Sequence, residues 1–266
     1  MDIGIIGYGS MGKMLADKFA SSHNVYVATR SREKLITAPE SINVVDGNID
    51  VAKAADIIFI CVRPVDIKDV ISEIEPFVKK EALLVSLNGS VTFELMEKLT
   101  SHKMAKVIPS VTAEIDRSQT LVTYNSLVAD TDKKALSEVL SIVGNVIELP
   151  ENEMGMGSEL VSCMPGFIAS IFDVLCSSAK KHTSIPDEQI VKMVLNTMSA
   201  TGDLMLQKDM TFEDVVTRVA TKGGITEEGT KVVYEGFPDV ADKLFENTLE
   251  KRRITAEKAQ KSFEDG

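Results

Sequence analysis

The sequence predicts an α/β domain built on a doubly wound, mainly parallel sheet, followed by an all-α domain. Short β-branched segments alternate with amphipathic helical segments as far as about Pro150, and beyond it apolar residues recur only at helical spacing. A glycine-rich turn directly follows the first predicted strand. We therefore expect the 266-residue chain to divide into residues 1–152 and residues 153–266.

The predicted elements of the first domain follow from this alternation. Strands are predicted at residues 3–6, 25–29, 56–62, 83–87, 104–108, 120–124 and 146–149, and helices at residues 11–20, 65–78 and 132–142. Each strand segment is rich in β-branched residues and bounded by turn formers. Strands joined through helices pair in parallel, so one sheet covered on both faces is expected.

The second domain is predicted to contain only helices. One should run through residues 157–181, and the next should start near Pro186, with acidic Asp187 and Glu188 in its first turn. A third should start at Thr211, whose hydroxyl can cap it. Apolar faces on only about 110 residues predict burial against a second copy, as a homodimer or higher homo-oligomer.

Composition and charge exclude several classes of partner. The net charge of −11 disfavours binding to nucleic acid or to an anionic membrane surface. The apolar run at residues 57–62 is too short to span a bilayer. The three cysteines are widely spaced, with no CxxC pair, and the residues before the first strand predict no secretory leader. We expect a cytoplasmic protein without a metal site.

The glycine-rich turn has the pattern G-x-G-x-x-G at Gly7, Gly9 and Gly12. Between a strand and a helix, this pattern is typical of a Rossmann domain, in which a dinucleotide pyrophosphate lies on the helix N-terminus. We expect the intervening residues Tyr8, Ser10 and Met11 to belong to the same site. The alternative is a glycine-rich turn that holds no ligand.

The end of the second strand predicts which dinucleotide is bound. Thr29, Arg30, Ser31 and Arg32 occupy the place where an NAD site usually has an acidic residue for the ribose hydroxyl. A guanidinium there suits a 2′-phosphate. The sequence therefore favours NADP(H), with NAD(H) still possible. The alternative is that both arginines are ordinary surface charges.

The order and spacing of several segments resemble the pyrroline-5-carboxylate reductase family. Residues 3–11 resemble its IGFIGxGNM, Asn48 with residues 55–64 resemble its N…ADVVFLAVKP, residues 86–91 stand in place of SxAAGV, and residues 107–110 in place of RVMPN. The resemblance runs nearly end to end. It implies further cofactor contacts from Asn48, Cys61, Val62, Arg63, Pro64 and Asn88.

A later segment, residues 219–226, resembles the family's VSSPGGTT. The resemblance implies that this loop binds the substrate carboxylate and that Thr226 is the catalytic residue, facing the ring nitrogen. The substrate-binding residues would be Val219, Thr221, Lys222, Gly223, Gly224 and Thr226. From the residues alone, two glycines before a helix can form an anion-binding nest, with Thr226 at the helix cap. The alternative is a Gly-Gly loop that merely caps this helix, whose first turn holds Glu227 and Glu228.

The chain also departs from the family pattern. Residues 161–167 stand where the family has SGSGPAY but lack its two glycines, and Lys222 replaces a proline. These departures resemble a divergent branch of the family named after late competence proteins of Gram-positive bacteria, the ComER type.

The resemblance implies NAD(P)H-dependent reduction of 1-pyrroline-5-carboxylate to L-proline, a step of amino-acid biosynthesis. Two alternatives stay open. The first is a non-catalytic NADPH-binding sensor or partner protein. The second is a β-hydroxyacid dehydrogenase-like enzyme, whose helical lysine has no counterpart at residues 159–178.

Overall fold

The computed structural model describes residues 1–264 of the chain. Its sheet has eight strands in the order β3-β2-β1-β4-β5-β6-β7-β8. These are β1 (Asp2–Ile6), β2 (Asn24–Ala28), β3 (Ile42–Val44), β4 (Ile57–Ile60), β5 (Leu83–Ser86), β6 (Lys103–Ile108), β7 (Ser118–Tyr124) and β8 (Gly144–Glu148). Only β6 and β7 pair antiparallel. The predicted mainly parallel sheet is confirmed.

Helices cover both faces of the sheet, as the apolar strands require. Along β4, Ile57 and Phe59 pack on one face, and Ile58 and Ile60 on the other. The first face lies under α1 (Ser10–Phe19) and α5 (Asp130–Leu140), and the second under α2 (Asn48–Ala54), α3 (Ile67–Ile74) and α4 (Phe93–Glu97). The predicted doubly wound arrangement follows from this two-sided burial.

The predicted helix at residues 65–78 is shorter than expected. Only α3 is α-helical, and 3₁₀ turns flank it at Pro64–Asp66 and Glu75–Phe77. Pro76 lacks a backbone N–H, so it cannot continue the helical hydrogen bonds. β3, α2 and α4 were not predicted, because segments of three to seven residues are too short to show a period.

Residues 151–264 are helical apart from short connecting loops, as predicted. The helix expected at residues 157–181 consists of α6 (Met154–Ser158), a π turn (Glu159–Cys163), α7 (Met164–Ala179) and a 3₁₀ turn. Then come α8 (Asp187–Lys208), α9 (Phe212–Val219), α10 (Ile225–Gly236) and α11 (Pro238–Glu264). The cap at Thr211 is confirmed, since its hydroxyl accepts from Asp214 N at 3.1 Å.

The chain forms two compact units. The first, here called the sheet unit, contains Met1–Pro165 and the residues from Thr248 onward; the second, the helical unit, is Gly166–Asn247. The end of α11 belongs to the sheet unit, because Ala259 is fully buried against the second sheet face and Lys68 Nζ donates to the Phe263 carbonyl at 3.3 Å. The division at residues 152/153 is a separate prediction that these units do not test.

The helical unit has almost no core of its own. Among its residues only Cys176 and Ile190 are buried, while Leu206, Phe212 and Ile225 are 79%, 80% and 95% exposed. Apolar surface on this scale marks an interaction face.

One helical segment, Glu151–His182, is long and apolar enough to cross a membrane by length and composition. Interspersed serines and glycines keep this segment from standing out in the sequence as a continuous apolar run.

Candidate functional site

A cavity of about 320 Å³ opens beside the carboxyl ends of β1, β2 and β4. The strand order reverses between β1 and β4, which is where doubly wound sheets bind their ligands. Most of the predicted cofactor residues line it together: Gly7, Tyr8, Gly9, Thr29, Arg30, Ser31, Asn48, Cys61, Val62 and Arg63. Six lining residues were not predicted, namely Ile6, Lys34, Asp66, Asp69, Val70 and Glu73.

The three glycines of the turn are needed for different reasons. Gly7 has φ +99, and a Cβ there would lie 2.6 Å from the Cys61 carbonyl oxygen. A Cβ on Gly12 would lie 2.0 Å from the Gly7 carbonyl oxygen. No protein atom lies within 4 Å of a Cβ built on Gly9, so its surface faces open space. The first and third glycines close the turn, and the second leaves room for a ligand.

The N-terminus of α1 is well suited to an anion. Gly9 is its N-cap and provides no side-chain cap, and no acidic residue occupies the first turn. The helix dipole and the free N–H groups are therefore left for a phosphate. Ser10 and Met11 begin this helix but do not line the cavity, and Met11 packs against the first core instead.

The positive charges at the cavity are partly paired with acids. Asp66 lies 3.3 Å from Arg30 Nη2 and 2.8 Å from Arg63 Nε. The hydrogen bond from Arg63 and the charge of Arg30 lower the pKa of Asp66, although partial burial opposes them. Lys34 lines the same cavity. Three basic side chains therefore line the cavity beside three acidic ones, since Asp69 and Glu73 line it as well, and Arg30 and Lys34 are the basic groups just after β2 that could hold an anionic group.

The structure places Arg32 outside this cavity. Its Nη2 donates to the carbonyl and carboxylate of Asp46, at 3.0 and 3.2 Å. The sequence missed Lys34 because the 3₁₀ helix Arg32–Thr37, which carries it to the cavity, has no periodic signal. Basic residues two, four and six positions beyond the end of β2 were nevertheless visible as a signal.

The remaining predicted residues lie in the cavity wall or beside it. The Asn48 amide donates to Glu73 Oε2 at 2.7 Å. Asn88 lies in the loop after β5, where its Oδ1 accepts from Ser90 N at 2.7 Å. Pro64 starts the 3₁₀ turn after β4. Burial raises the pKa of the Cys61 thiol to about 12, so it stays protonated and is no nucleophile.

The predicted carboxylate loop lies in the helical unit, between α9 and α10. Gly223 has φ +73, and its N–H donates to Glu227 Oε2 at 2.7 Å. Gly224 N donates to the Thr221 carbonyl at 2.8 Å. The loop therefore binds a carboxylate in this structure, and that carboxylate belongs to the chain itself.

Thr226 is not the cap of α10, contrary to the sequence-based expectation. Gly224 is the N-cap, and the helix starts at Ile225, so Thr226 is its second residue. The extended backbone at Gly224 ends the loop earlier than the pattern suggested. Thr226 is exposed. Glu227 performs the capping role that the sequence suggested for Thr226, because its carboxylate accepts the hydrogen bond from the Gly223 N–H in the loop before the helix.

The sheet and its glycine turn define a Rossmann dinucleotide-binding protein that carries an additional helical unit. Residues 2–90 match a family model described as NADP oxidoreductase coenzyme F420-dependent, and residues 151–254 match one described as pyrroline-5-carboxylate reductase dimerisation.

Relatives with curated descriptions cover almost the whole chain. Pyrroline-5-carboxylate reductase 3 of Bacillus subtilis is 34% identical over 97% of this chain and 98% of its own length. ComE operon protein 4 of the same organism is 27% identical over 99% of both. The chain therefore belongs to the pyrroline-5-carboxylate reductase family. The expected likeness to the divergent competence branch is also confirmed.

Solved structures confirm the fold. Plasmodium falciparum pyrroline carboxylate reductase with NADP bound has a TM-score of 0.83 at 21% identity, covering 99% of this chain and 98% of its own. The Streptococcus pyogenes 1-pyrroline-5-carboxylate reductase has a TM-score of 0.86 at 18% identity, covering 96% and 98%.

Proposed function

We propose that this protein reduces 1-pyrroline-5-carboxylate to L-proline with NADPH, as a step of proline biosynthesis. The observation that carries the proposal is its membership of the reductase family over nearly its whole length. The dinucleotide cavity at the switch point of the sheet supports it. NADH would serve as a second, less efficient hydride donor.

The residues at the cavity fit a bound dinucleotide phosphate. The open side of Gly9 and the uncapped N-terminus of α1 would hold the pyrophosphate. Arg30 and Lys34 would hold the 2′-phosphate, with Thr29 and Ser31 donating hydroxyl hydrogen bonds. The reduced nicotinamide would supply the hydride.

The residues of the 219–226 loop would bind the substrate. Its carboxylate would replace that of Glu227 on the backbone of the Thr221–Gly224 segment, next to the charge of Lys222. The hydroxyl of Thr226 would donate to or accept from the ring nitrogen and keep the imine oriented. An iminium carbon is already electrophilic, so positioning is the main requirement and no acid–base dyad is needed.

We also propose that the protein is a homodimer or a higher homo-oligomer through its helical unit. The near absence of buried side chains in that unit supports this, as does the match to a dimerisation model. A cytoplasmic location is part of the proposal. Cys61, Cys163 and Cys176 are all free thiols, as is usual in a reducing compartment.

The direct test is NADPH oxidation by the purified protein with 1-pyrroline-5-carboxylate, followed by absorbance and by detection of L-proline. We expect proline to form in proportion to NADPH consumed, and a higher kcat/KM with NADPH than with NADH. Tight NADPH binding without turnover would instead support the non-catalytic sensor. Two observations favour that second candidate: the internal carboxylate in the loop and the lost glycines at residues 161–167.

A further inference from the structure

A buried ion pair in the sheet unit joins the π turn to α11. Glu159 Oε1 accepts from Arg252 Nη2 at 2.7 Å and from Arg252 Nε at 3.1 Å. Arg252 Nη2 also donates to Ser158 Oγ at 3.0 Å. The Glu159 side chain is 2% exposed, and that of Arg252 is 23% exposed. These three hydrogen bonds fix the plane of the guanidinium.

This ion pair is unfavourable as a purely stabilising contact, because its burial has a large desolvation free energy. Glu159 Oε2 is buried without a hydrogen-bond partner among the described residues. Burying an ion pair costs several kcal/mol in desolvation per ion, and a half-satisfied carboxylate recovers less of that cost. The pair lies on a π turn, a local distortion that is frequent at functional sites.

The remaining nitrogen of the guanidinium lies against a loop at the ligand-binding edge of the sheet. Arg252 uses Nε and Nη2 for the bonds to Glu159 and Ser158, and Nη1 makes no hydrogen bond among the described residues. A Cβ built on Gly89 would lie 3.4 Å from that Nη1 and 3.0 Å from Ile108 Cδ1. Gly89 follows β5, and Ile108 ends β6.

The carboxyl ends of parallel strands are where this class of sheet binds ligands. β5 pairs with β4, and the residues directly after β4 line the dinucleotide cavity. A guanidinium nitrogen held at the same edge, with its charge fixed by a buried carboxylate, is a preorganised donor for a ligand oxygen.

We propose that Arg252 is a further ligand-binding residue, whose Nη1 donates a charge-assisted hydrogen bond to an acceptor oxygen of a ligand at the carboxyl ends of β5 and β6. Glu159 acts through it, as the residue that positions the guanidinium. The oxygen belongs to the nicotinamide carboxamide, because the dinucleotide cavity lies at this same edge of the sheet. The inference therefore rests on the proposed function.

The test uses Arg252→Lys in the full-length protein. Lysine keeps the positive charge beside Glu159, but its single ammonium cannot pair with Glu159 and also reach Gly89. Calorimetry would give the Kd of NADP⁺, of 2′-phospho-ADP-ribose, which lacks the nicotinamide, and of L-proline with NADP⁺ present. We expect about a tenfold weakening, the scale of one hydrogen bond to a charged group. It should affect NADP⁺ alone, because 2′-phospho-ADP-ribose and L-proline have no carboxamide.

Arg253→Lys is the matched control, because Arg253 is an exposed neighbour that pairs with Glu250 and Glu257 on α11. It should change none of the three constants. The proposal is overturned if folded Arg252→Lys binds all three ligands as the wild type does. Equal weakening of NADP⁺ and of 2′-phospho-ADP-ribose would also overturn it, because the fragment lacks the proposed partner.

A second variant allows the proposal to be tested even if Arg252→Lys does not fold. In the double substitution Glu159→Met and Arg252→Met, apolar side chains of similar volume replace the pair, a change that buried ion pairs often tolerate. It should show the same selective loss as Arg252→Lys. All the measurements are equilibrium constants, so they do not depend on turnover. If wild-type protein binds no L-proline, the proposed substrate fails and the two nucleotide constants alone decide the role of Arg252.

Discussion

At the scale of single residues, the glycines of the turn have two different roles that the G-x-G-x-x-G pattern does not distinguish: one avoids a clash within the chain, and the other leaves space for a ligand. Gly12 is needed because the chain itself is close, with the Gly7 carbonyl oxygen 2.0 Å from a Cβ at that position. Gly9 has no such neighbour. Its lack of a side chain can therefore matter only to something that is not part of the chain.

Alanine at each position should separate the two roles. Gly12→Ala should destabilise the protein by about 1–3 kcal/mol, because the clash is with backbone that has no room to move. Gly9→Ala should leave the free energy of unfolding within about 0.5 kcal/mol of the wild type and weaken NADP⁺ binding at least tenfold. Urea unfolding and fluorescence titration with NADP⁺ measure the two effects. Equal loss of stability in both variants would contradict this assignment.

Glu227 gives a second prediction at this scale. Its carboxylate accepts the Gly223 N–H that the substrate carboxylate would use. Glu227→Gln removes the competing charge and leaves a weaker acceptor, so the KM for 1-pyrroline-5-carboxylate should fall about two- to tenfold. Glu228→Gln is the control, because that carboxylate pairs with Lys231 at 2.7 Å and not with the loop. A KM that rises in Glu227→Gln would show that the glutamate assists binding.

The sequence indicated that basic residues would lie near the cavity, but it did not indicate which acidic or carbonyl groups each of them would contact. Arg30 and Arg32 looked equivalent, two positions apart on one chain. Only the structure shows that Arg32 turns to Asp46 while Lys34 reaches the cavity. The pair Glu159–Arg252 joins residues 93 positions apart. No local pattern could have predicted it, because pairing at that separation depends on the tertiary fold.

At the scale of elements, the Thr211 cap of α9 was visible in the sequence, and the capping box that the structure shows there has a measurable consequence. The Thr211 hydroxyl accepts from Asp214 N, and Asp214 Oδ2 accepts from the Thr211 backbone N–H at 2.8 Å. Thr211→Ala should cost about 1 kcal/mol at pH 7, measured by urea unfolding with circular dichroism. Thr201→Ala is the control, because that hydroxyl bonds back to the Thr197 carbonyl within α8 and caps nothing.

The same cap should be lost in acid. Hydrogen bonds from the Thr211 backbone and hydroxyl hold the pKa of Asp214 below its ordinary value of 3.8. A carboxyl group with a lowered folded-state pKa stabilises above its unfolded-state pKa and loses that contribution as the pH falls through the folded-state value. The difference in unfolding free energy between Thr211→Ala and the wild type should therefore be constant from pH 5 to 7 and shrink below 3.8. A difference that grows in acid would exclude the cap as its cause.

Elements long enough to show a hydrophobic period were predictable from the sequence, and short or interrupted elements were not. The strong alternation of strands and helices gave the parallel sheet, and Thr211 gave the start of α9. β3 has three residues, and α4 has five, so neither completes enough of a period to stand out. The π turn at Glu159–Cys163 covers only five residues, which is also too short to show a period of its own.

At the scale of the whole molecule, the exposed apolar side chains of the helical unit predict self-association. The wild-type protein should sediment as a dimer or larger assembly. Val174→Asp, at a side chain 68% exposed on the apolar helix α7, should shift it towards the monomer, because a charge buried in an interface without a partner is costly. Ile36→Asp is the control, since Ile36 is 83% exposed but lies in the sheet unit. A monodisperse wild-type monomer would contradict the prediction.

The return of the chain to the sheet unit at Thr248 also affects how the protein is made. A ribosome releases the first strand early, but the side chains around Ala259 complete the second sheet face only when the last helix has emerged. Until then, the nascent chain exposes the apolar surface that α11 covers. Premature termination after residue 247 would thus damage the nucleotide-binding half of the protein, although every residue of its cavity had already been translated.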